Sequence, residues 1–333
     1  MEWLLEIIRK HPFRAAFLFL VLLALLGLEL WDHVSPLPGR DWIALNIKRI
    51  RIADPDNFCF AVFGDNKNSH FTFERLLKEI EHDPEISFAI DLGDLVYDGE
   101  KEKYRYFLRQ IKSNFHKPLL TGIGNHELKE KGRGLYAEIF GPFYYSFRIG
   151  KVCFFVLDDA NEKGLDRWQR IWIERELKRS KGLCTQRLVF FHVPLYDPRR
   201  GHHRHCLPEE AAHDLLNLFQ DYGVSHIFSS HIHGFFQGNW GGIPYIITGG
   251  AGAELVGTDP NHYFFHYLKV KVVNGNLQIK VKRLPSPKYE RLDRLAYALW
   301  LYVYAFLRIH GVEMALLLIS GMLCVSLLKG RSR

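Results

Sequence analysis

The chain has 333 residues, of which 47% are hydrophobic and 24% charged, and this composition excludes an intrinsically disordered protein. Its formal net charge is +7, but the basic residues form no long run or stripe. The charge is therefore compatible with nucleic acid, an anionic membrane surface or a phosphorylated partner, and it selects none of them.

The first feature along the chain is an almost purely hydrocarbon segment at residues 15–31, in which Glu29 is the one charged residue. Its length suits a tilted crossing of a bilayer, so we predict a transmembrane helix at 15–31 after a short basic segment at 1–14. A cleaved secretory signal peptide is the alternative. The sequence that follows offers no small-residue cleavage site, which favours an uncleaved anchor.

Between residues 56 and 284, apolar strand-like runs alternate with helix-like segments, which predicts an α/β domain. The predicted helices cover residues 71–81, 101–115, 166–179 and 209–222. The apolar runs that precede or follow them lie at 58–63, 87–91, 118–123, 152–158, 187–192 and 225–230. From residue 244 the pattern is purely strand-like, and Asn274-Gly275 predicts a hairpin turn between the last two strands.

The C-terminal part of the chain carries two further apolar segments. Residues 295–307 are rich in Trp and Tyr and short for a crossing, so we predict an interfacial aromatic helix, with packing on the soluble domain as the alternative. Residues 314–328 predict a second transmembrane helix that stops at basic residues. Positive charge at both ends of the chain would keep the ends in the cytoplasm. The middle would then face a bacterial periplasm or an equivalent lumen.

The five cysteines show no paired spacing of the kind that metal sites have. Cys59 and Cys153 lie in apolar runs, so we predict buried core residues at both positions. Cys184 and Cys206 could form a disulfide if the domain faces an oxidising compartment.

Polar side chains of metal-ligand type stand at the carboxyl ends of the predicted strands, where α/β sheets bind their ligands. They are Asp65, Asp94, Asn125, His126, His192, His231 and His233. Any one of them alone could be a helix cap or a hydrogen-bonded histidine. Carboxylate, amide and imidazole groups at so many strand ends together predict a site for manganese, iron or zinc.

The same residues form motifs in a fixed order, which are Gly64-Asp65, Gly93-Asp94 with Tyr97, Gly124-Asn125-His126-Glu127, His192, and His231-Ile232-His233. In this order they resemble the calcineurin-like metallophosphoesterase superfamily. The resemblance covers about two-thirds of the chain. It implies a catalytic domain at 56–284 with the metallophosphoesterase-type β-sandwich flanked by helices (α/β/β/α), in addition to the N- and C-terminal membrane helices.

The resemblance also implies a role for each residue of the motifs. Asp94 would bridge two metal ions, one of them bound by Asn125, His192 and His231 and the other by Asp65 and His233. Two such cations hold an attacking water and a phosphate oxygen, and they lower the pKa of the water. His126 would stabilise or protonate the leaving oxygen. Glu127 would support the ligands without binding metal.

Three positions need separate treatment. Lys67 stands where many members of the superfamily have a histidine, so the metal at Asp65 lacks one expected ligand. Tyr97 could replace it, as the tyrosine of purple acid phosphatases ligates ferric iron, and the alternative is a tyrosine that packs beside the loop. Ser230 stands where glycine usually precedes His-x-His, which asks only for a tolerant backbone.

Three cationic residues are candidates for binding the substrate phosphate. Lys67 offers a point charge near the metals. Arg200 and His203 belong to a loop rich in Arg and His that could overhang the site. The alternatives are a solvated lysine and a mobile polar loop.

These inferences predict a membrane-anchored enzyme that hydrolyses a phosphomonoester or phosphodiester through a hydroxide activated by two metal ions. The anchor favours a lipid-linked or cell-envelope ester as substrate. A non-catalytic metal-binding module of the same fold and a nuclease are the alternatives. His126 counts against the first, while the membrane spans and the lack of an aromatic-basic groove count against nucleic acid as a partner.

Overall fold

The computed structural model describes residues 8–35, 37, 39–199, 205–286 and 291–329. The chain divides into a unit made of its two ends, up to Pro36 and from Tyr302, and a globular unit at Leu37–Leu301.

The helices and strands follow one another in the alternation that the sequence predicts. In chain order they are α1 (Pro12–Val34), α2 (Trp42–Arg49), β1 (Asn57–Phe63), α3 (Phe71–His82), β2 (Ile86–Asp91), α4 (Lys101–Asn114), β3 (Leu119–Thr121), a 3₁₀ turn (His126–Leu128), α5 (Gly132–Phe140), β4 (Tyr145–Ile149), β5 (Val152–Val156), α6 (Arg167–Ser180), β6 (Gln186–Phe190), α7 (Glu209–Asp221), β7 (His226–Ser229), β8 (Phe235–Trp240), β9 (Ile243–Thr248), β10 (His266–Val273), β11 (Asn276–Arg283) and α8 (Arg291–Lys329).

The described strands form two mixed sheets. The first has the order β11-β10-β1-β2-β3, and the second has the order β4-β5-β6-β7-β9-β8. In the first sheet, β1, β2 and β3 are parallel and in register at their carboxyl ends, where Phe63 pairs with Asp91 and Asp91 with Thr121. In the second sheet, β6 and β7 are parallel, and Phe190 pairs with Phe228. The loops that follow these five strands therefore leave the sheets at neighbouring positions.

A stack of aromatic side chains fills the space between the sheets. Phe154, Phe190 and Phe228 come from the adjacent parallel strands β5, β6 and β7, and their rings stack at centroid distances of 6.0 and 5.0 Å. Phe60 and Phe88 stack at 5.2 Å on the first sheet, and the Phe60 ring meets Phe154 edge-on at 5.3 Å. Each ring is fully buried, and stacked or edge-on pairs add to the stabilisation that burial itself gives.

Helices cover the outer face of each sheet. Phe73 and Leu76 of α3 and Phe107 of α4 belong to the same core cluster as the first sheet. On the second sheet, Ile173 of α6 and Phe219 of α7 pack with the apolar residues that point away from the first sheet. Two facing sheets with helices on both outer faces form the α/β/β/α arrangement that the resemblance implies, so the predicted fold class is confirmed.

Two local features concern individual sequence predictions. The hairpin at Asn274-Gly275 is present, and both residues adopt the positive φ values of 51° and 77° that a tight turn between β10 and β11 requires. The pairing of Cys184 with Cys206, which the sequence allowed for an oxidising compartment, is wrong, because the disulfide joins Cys184 to Cys153. Cys153 is buried as predicted, but it lies on β5 close to the start of β6, and this proximity makes it the partner of Cys184.

The terminal unit contains α1 and most of α8. Two stretches are long and apolar enough to cross a membrane, namely Pro12–Trp31 and Ala298–Leu328, and most of their described side chains are exposed. Arg14 donates a hydrogen bond of 2.8 Å to the hydroxyl of Ser326. Helix α8 runs through both segments that the sequence separates, 295–307 and 314–328, with non-helical backbone angles at His310. Their division into an interfacial and a spanning part stays a prediction.

Candidate metal centre

The loops at the carboxyl ends of β1, β2, β3, β6 and β7 meet around a cavity of about 340 Å³. Its lining combines carboxylate, amide, imidazole and cationic groups. These residues are Lys67, Asp94, Asn125, His126, Glu162, Arg199, His205, His231, Ile232, His233, Glu254 and Val256. The lining includes six of the residues that the sequence predicts to bind metal or substrate, which are Lys67, Asp94, Asn125, His126, His231 and His233.

Four donor atoms converge on one side of this cavity. Oδ1 of Asn125 lies 3.1 Å from Nε2 of His192 and 3.2 Å from Nδ1 of His231. The two histidine nitrogens are 3.2 Å apart, and Oδ1 of Asp94 lies 3.4 Å from Nε2 of His192. Separations of this size are those of atoms that share one coordination sphere, since metal–ligand bonds are about 2.0–2.2 Å long.

The protonation of His192 fits a metal ion at this point. Its other nitrogen, Nδ1, lies 3.1 Å from the backbone oxygen of Leu92, which can only accept a hydrogen bond. The proton of a neutral ring is therefore on Nδ1, and Nε2 turns its lone pair toward Asn125 and His231. A hydrogen bond from a metal-binding histidine to a backbone carbonyl is the usual way in which proteins orient such a ligand. These four residues fit a divalent cation.

A second group of possible ligands lies on the other side of Asp94. Asp65, Asp94 and His233 are buried, and one ligand atom of each lies within 4.8 Å of the others. Oδ1 of Asp65 has no hydrogen-bond partner among the described residues and lies 3.7 Å from Nε2 of His233. Here, however, the ammonium group of Lys67 is also present, 2.9 Å from Nε2 of His233 and 3.4 Å from Oδ2 of Asp94.

Asp94 lies at the junction of the two groups. Its burial disfavours the charged form, but the electrostatic effects of its neighbours, first His192 and then Lys67 and His126, outweigh burial and hold the pKa of Asp94 well below its usual range. Its backbone has a φ of 57°, which few residues other than glycine adopt. The ionised carboxylate is thus held, in a strained loop conformation, between the two groups of possible metal ligands.

His126 lines the cavity on the Asp94 side. Its Nδ1–H donates a hydrogen bond to the backbone oxygen of Tyr97, so Nε2 is the nitrogen that is 3.9 Å from Oδ2 of Asp94. Burial lowers the pKa of His126 to about 4, although the nearby Asp94 acts in the opposite direction. In the substrate-free site His126 is therefore a neutral base.

Glu127 holds the Asp94 and Asn125 loops together. Its buried carboxylate accepts hydrogen bonds from the backbone N–H groups of Asp94, Val96 and Gly124 at 2.9, 3.0 and 2.7 Å. All of these contacts are to backbone, which agrees with the predicted supporting role. Gly124 is needed for the close approach, because a Cβ at this position would lie 2.3 Å from Oδ1 of Asp94.

Asp159 positions the loop of His192, and no motif in the sequence identifies it. Its carboxylate accepts from the backbone N–H groups of His192 at 3.0 Å and Val193 at 3.1 Å. Gln169 of α6 in turn fixes the preceding residue, because its side-chain amide exchanges hydrogen bonds of 2.7 and 2.8 Å with the backbone of Asp158.

Comparison with known proteins identifies the family of this chain. The sequence profile described as calcineurin-like phosphoesterase matches residues 59–235. The chain belongs to the calcineurin-like phosphoesterase family. It is thus a hydrolase of phosphoester bonds, and the family implies divalent metal ions.

The relatives of this family member include two kinds of phosphatase. Serine/threonine-protein phosphatase CPPED1 of Bos taurus is 26% identical over 234 residues, which are 64% of this chain and 70% of that protein. Purple acid phosphatase 13 of Arabidopsis thaliana is 30% identical over 197 residues, which are 50% of this chain and 35% of that protein. The solved structure of purple acid phosphatase PPD1 from yellow lupin (Lupinus luteus) superposes with a TM-score of 0.54 at 18% identity. That match covers 68% of this chain and 51% of the lupin chain, so this chain spans about half of its length.

Tyr97, a predicted metal ligand, lies beside His126, with ring centroids 5.8 Å apart, but does not reach the cavity. Its side chain is 39% exposed, and its ring lies 5.5 and 5.6 Å from the ammonium groups of Lys103 and Lys129. The structure brings Lys67, and not Tyr97, to the Asp65 side of the centre. Arg200 and His203 lie outside the described residues, so their predicted contact with substrate stays a prediction.

Several residues of the site were not predicted. Arg199 and His205, which flank the undescribed part of the loop, line the cavity themselves, as does Glu254. The concentration of Arg and His in this loop was the one feature of the sequence that pointed to Arg199 and His205. The expectation that Ser230 only needs a tolerant backbone is incomplete, because its hydroxyl contacts Asp65, 2.5 Å away.

Proposed function

We propose that the protein is a membrane-anchored, metal-dependent phosphoesterase that hydrolyses a phosphomonoester or phosphodiester. The observation that carries the proposal is the convergence of Asn125 Oδ1, His192 Nε2, His231 Nδ1 and Asp94 Oδ1 beside His126, at a cavity whose lining includes Lys67 and Arg199. A divalent cation held by these four atoms would supply a Lewis acid for a phosphate oxygen and would lower the pKa of a water molecule.

The protein's own residues supply the rest of the chemistry. Lys67 and Arg199 line the cavity and give it the positive charge that a phosphate anion needs. Asp197 holds Arg199 through an ion pair of 2.7 Å, which fixes the direction of the guanidinium. These groups would orient the phosphate with its leaving oxygen toward His126.

His126 would change its protonation when substrate binds. Its pKa of about 4 describes a ring without a bound anion. The negative charge of a phosphate ester at the adjacent metal would favour the imidazolium form and raise this pKa. The ring could then hold a proton on Nε2 and transfer it to the departing alkoxide, which lowers the barrier most for esters with basic leaving groups.

Three observations support an extracytoplasmic, membrane-anchored arrangement. The stretches Pro12–Trp31 and Ala298–Leu328 are long and apolar enough to span a bilayer. Their exposed side chains would give a soluble protein a larger apolar surface than such proteins usually have. The disulfide between Cys153 and Cys184 fits an oxidising compartment. Such a location favours a substrate at the membrane surface, including a lipid-linked phosphate ester.

Turnover by the purified full-length protein in detergent tests the catalytic part of the proposal. With manganese or zinc added, we expect hydrolysis of chromogenic phosphomonoesters and phosphodiesters and of lipid-linked phosphates. Asp94→Asn and His192→Ala should each lower turnover by at least about a hundredfold, since the first replaces a charged ligand with a neutral amide and the second removes a ligand. Asp56→Asn, the same change at an exposed position, is the matched control. Full activity of either site variant, or no hydrolysis by the wild type, would refute the assignment.

Reporter fusions test the topology. Alkaline phosphatase fused after Leu284 should be active, because it would lie outside the cytoplasm, whereas a fusion at Arg333 should be inactive. The reverse pattern would place the catalytic domain inside the cell.

A further inference from the structure

The ammonium group of Lys67 lies at the place where the family's pattern puts a second metal ion. Asp65, Asp94 and His233 are the residues that would hold that ion. Nζ of Lys67 is 2.9 Å from Nε2 of His233 and 3.4 Å from Oδ2 of Asp94, and the lysine side chain is only 5% exposed. A solvated surface lysine, which is the common case, would show none of these features.

The hydrogen bonds of His233 decide how this contact works. Nδ1 of His233 lies 2.7 Å from the backbone oxygen of Glu254, so the ring proton is on Nδ1 and Nε2 carries the lone pair. The ammonium of Lys67 donates to that lone pair. A metal ion would need the same lone pair, at a distance of about 2.0–2.1 Å. The ammonium and the metal ion therefore exclude each other at His233.

The backbone holds Lys67 in this position. Asp65, Lys67 and Asn68 all have positive φ values, of 61°, 43° and 58°, so the loop after β1 curls back on itself. The N–H of Lys67 donates to the backbone oxygen of Asp94 at 2.9 Å, and the N–H of Asn68 donates to that of Leu95 at 3.3 Å. The loop thus directs the Lys67 side chain into the centre, at the position where many members of the family have a histidine ligand.

The two oxygens of Asp94 serve different cations in this arrangement. Oδ1 lies 3.4 Å from Nε2 of His192, on the side of the group that fits a metal ion. Oδ2 lies 3.4 Å from Nζ of Lys67. The aspartate that bridges two metals in the family's pattern here bridges one metal position and one ammonium group. With the Lys67 ammonium in place, the residues at the second position do not fit a metal ion.

We propose that the enzyme uses one metal ion, held by Asp94, Asn125, His192 and His231, and that the ammonium of Lys67 takes the place of the second. This inference rests on the proposed function and specifies its centre. A fixed single charge at this point can stabilise a phosphate oxygen by electrostatics and hydrogen bonding. Unlike a divalent ion, it needs no ligand beyond its own side chain and cannot be removed by a chelator.

Metal content and magnetic resonance test the inference without reference to activity. Full-length protein in detergent is loaded with excess Mn²⁺, desalted and analysed for manganese per chain and for its electron paramagnetic resonance spectrum. Wild type should retain about one ion and show the spectrum of isolated Mn²⁺, because paired sites need two ions about 3.5–4 Å apart. Lys67→His should retain about two ions and show an exchange-coupled pair, since it restores the ligand and removes the ammonium.

Two controls separate the inference from the proposed function. Lys78→His makes the same change on the exposed face of α3 and should retain the wild-type metal content and spectrum. His192→Ala should lose the one bound ion. An exchange-coupled pair in the wild type would overturn the inference and leave the proposed function intact. A wild type that retains no manganese and hydrolyses no phosphoester would refute the proposed function itself.

Discussion

The hydroxyl of Ser230 lies 2.5 Å from Oδ2 of Asp65, and both side chains are fully buried. Ser230 donates this hydrogen bond, because the carboxylate can only accept. Burial raises the pKa of Asp65, against the opposing effects of His233, His192 and Lys67, and the Ser230 hydroxyl gives the buried charged form a hydrogen bond. The residue that replaces the usual glycine before His-x-His thus holds a carboxylate at the lysine side of the centre.

Ser230→Ala should destabilise the protein because it leaves a buried carboxylate oxygen without its donor. Such a loss costs about 1–3 kcal/mol, which for a domain of this size lowers Tm by roughly 2–10 °C. Thermal unfolding of the full-length protein in detergent measures the effect. Ser229→Ala is the matched control: Ser229 is equally buried, but its hydroxyl has no hydrogen-bond partner among the described residues. Equal Tm values for the two variants would contradict the role of the Ser230 hydrogen bond.

The helices and strands with a strong periodic pattern can be predicted from the sequence. Those that are stabilised by packing against distant parts of the chain cannot. Helix α3 is predicted at 71–81 and observed at Phe71–His82, because its apolar residues repeat with helical spacing. Helix α2 at Trp42–Arg49 was missed. The indole N–H of Trp42 donates to the backbone oxygen of Leu119 at 2.8 Å, and Ile43 is buried. Contacts distant in sequence therefore stabilise this helix.

The same distinction holds in the metal centre. The ligand types at strand ends are visible in the sequence because chain order and sheet topology bring them to one edge. The contact of Lys67 with His233 spans 166 residues, and a long flexible side chain could equally have pointed to solvent. Asp159 contacts the backbone and leaves no sequence signature beyond a carboxylate after a strand. The disulfide partner of Cys184 likewise depends on the pairing of β5 with β6.

His126→Asn should affect esters in proportion to the basicity of their leaving groups. Removal of a proton donor at the departing oxygen should lower kcat about 10²–10⁴-fold for an alkyl or phenyl phosphate. A nitrophenyl phosphate, whose leaving group departs without a proton, should lose much less and serves as the internal control. Steady-state kinetics on both esters give the comparison. An equal loss for both would assign His126 to substrate positioning instead.

The cysteine pairing can be measured by thiol labelling of the denatured, unreduced protein. Five cysteines are present and two form the bridge, so three should react with maleimide before reduction and all five afterwards. Loss of the bridge in Cys153→Ala/Cys184→Ala should destabilise the protein by about 3–4 kcal/mol, from the entropy of a loop of 31 residues. Cys206→Ser should keep the wild-type bridge. Five reactive thiols in the untreated protein would show that the domain matures in a reducing compartment.

His266 should make the stability of the globular unit depend on pH. The ring is fully buried, with Nδ1–H donating to the backbone oxygen of Phe264 at 2.9 Å and Nε2 3.1 Å from the hydroxyl of Thr248. Burial lowers its pKa from 6.5 to about 4, with the Phe264 contact acting in the opposite direction. Between these values the unfolded chain binds the proton and the folded chain does not, so stability falls as pH decreases from 6.5 toward 4.

A variant that cannot titrate at this position should remove that part of the pH dependence. The difference in pKa corresponds to a loss of folding stability of about 3 kcal/mol. This loss is zero above pH 6.5 and complete below pH 4. His266→Gln should therefore give a flatter plot of Tm against pH over this window than the wild type does. His116→Gln is the control, because the His116 side chain is 73% exposed and remains in water when the protein folds. If His266→Gln keeps the full wild-type slope, the acid sensitivity arises from other groups and the buried neutral form of His266 makes no measurable contribution to it.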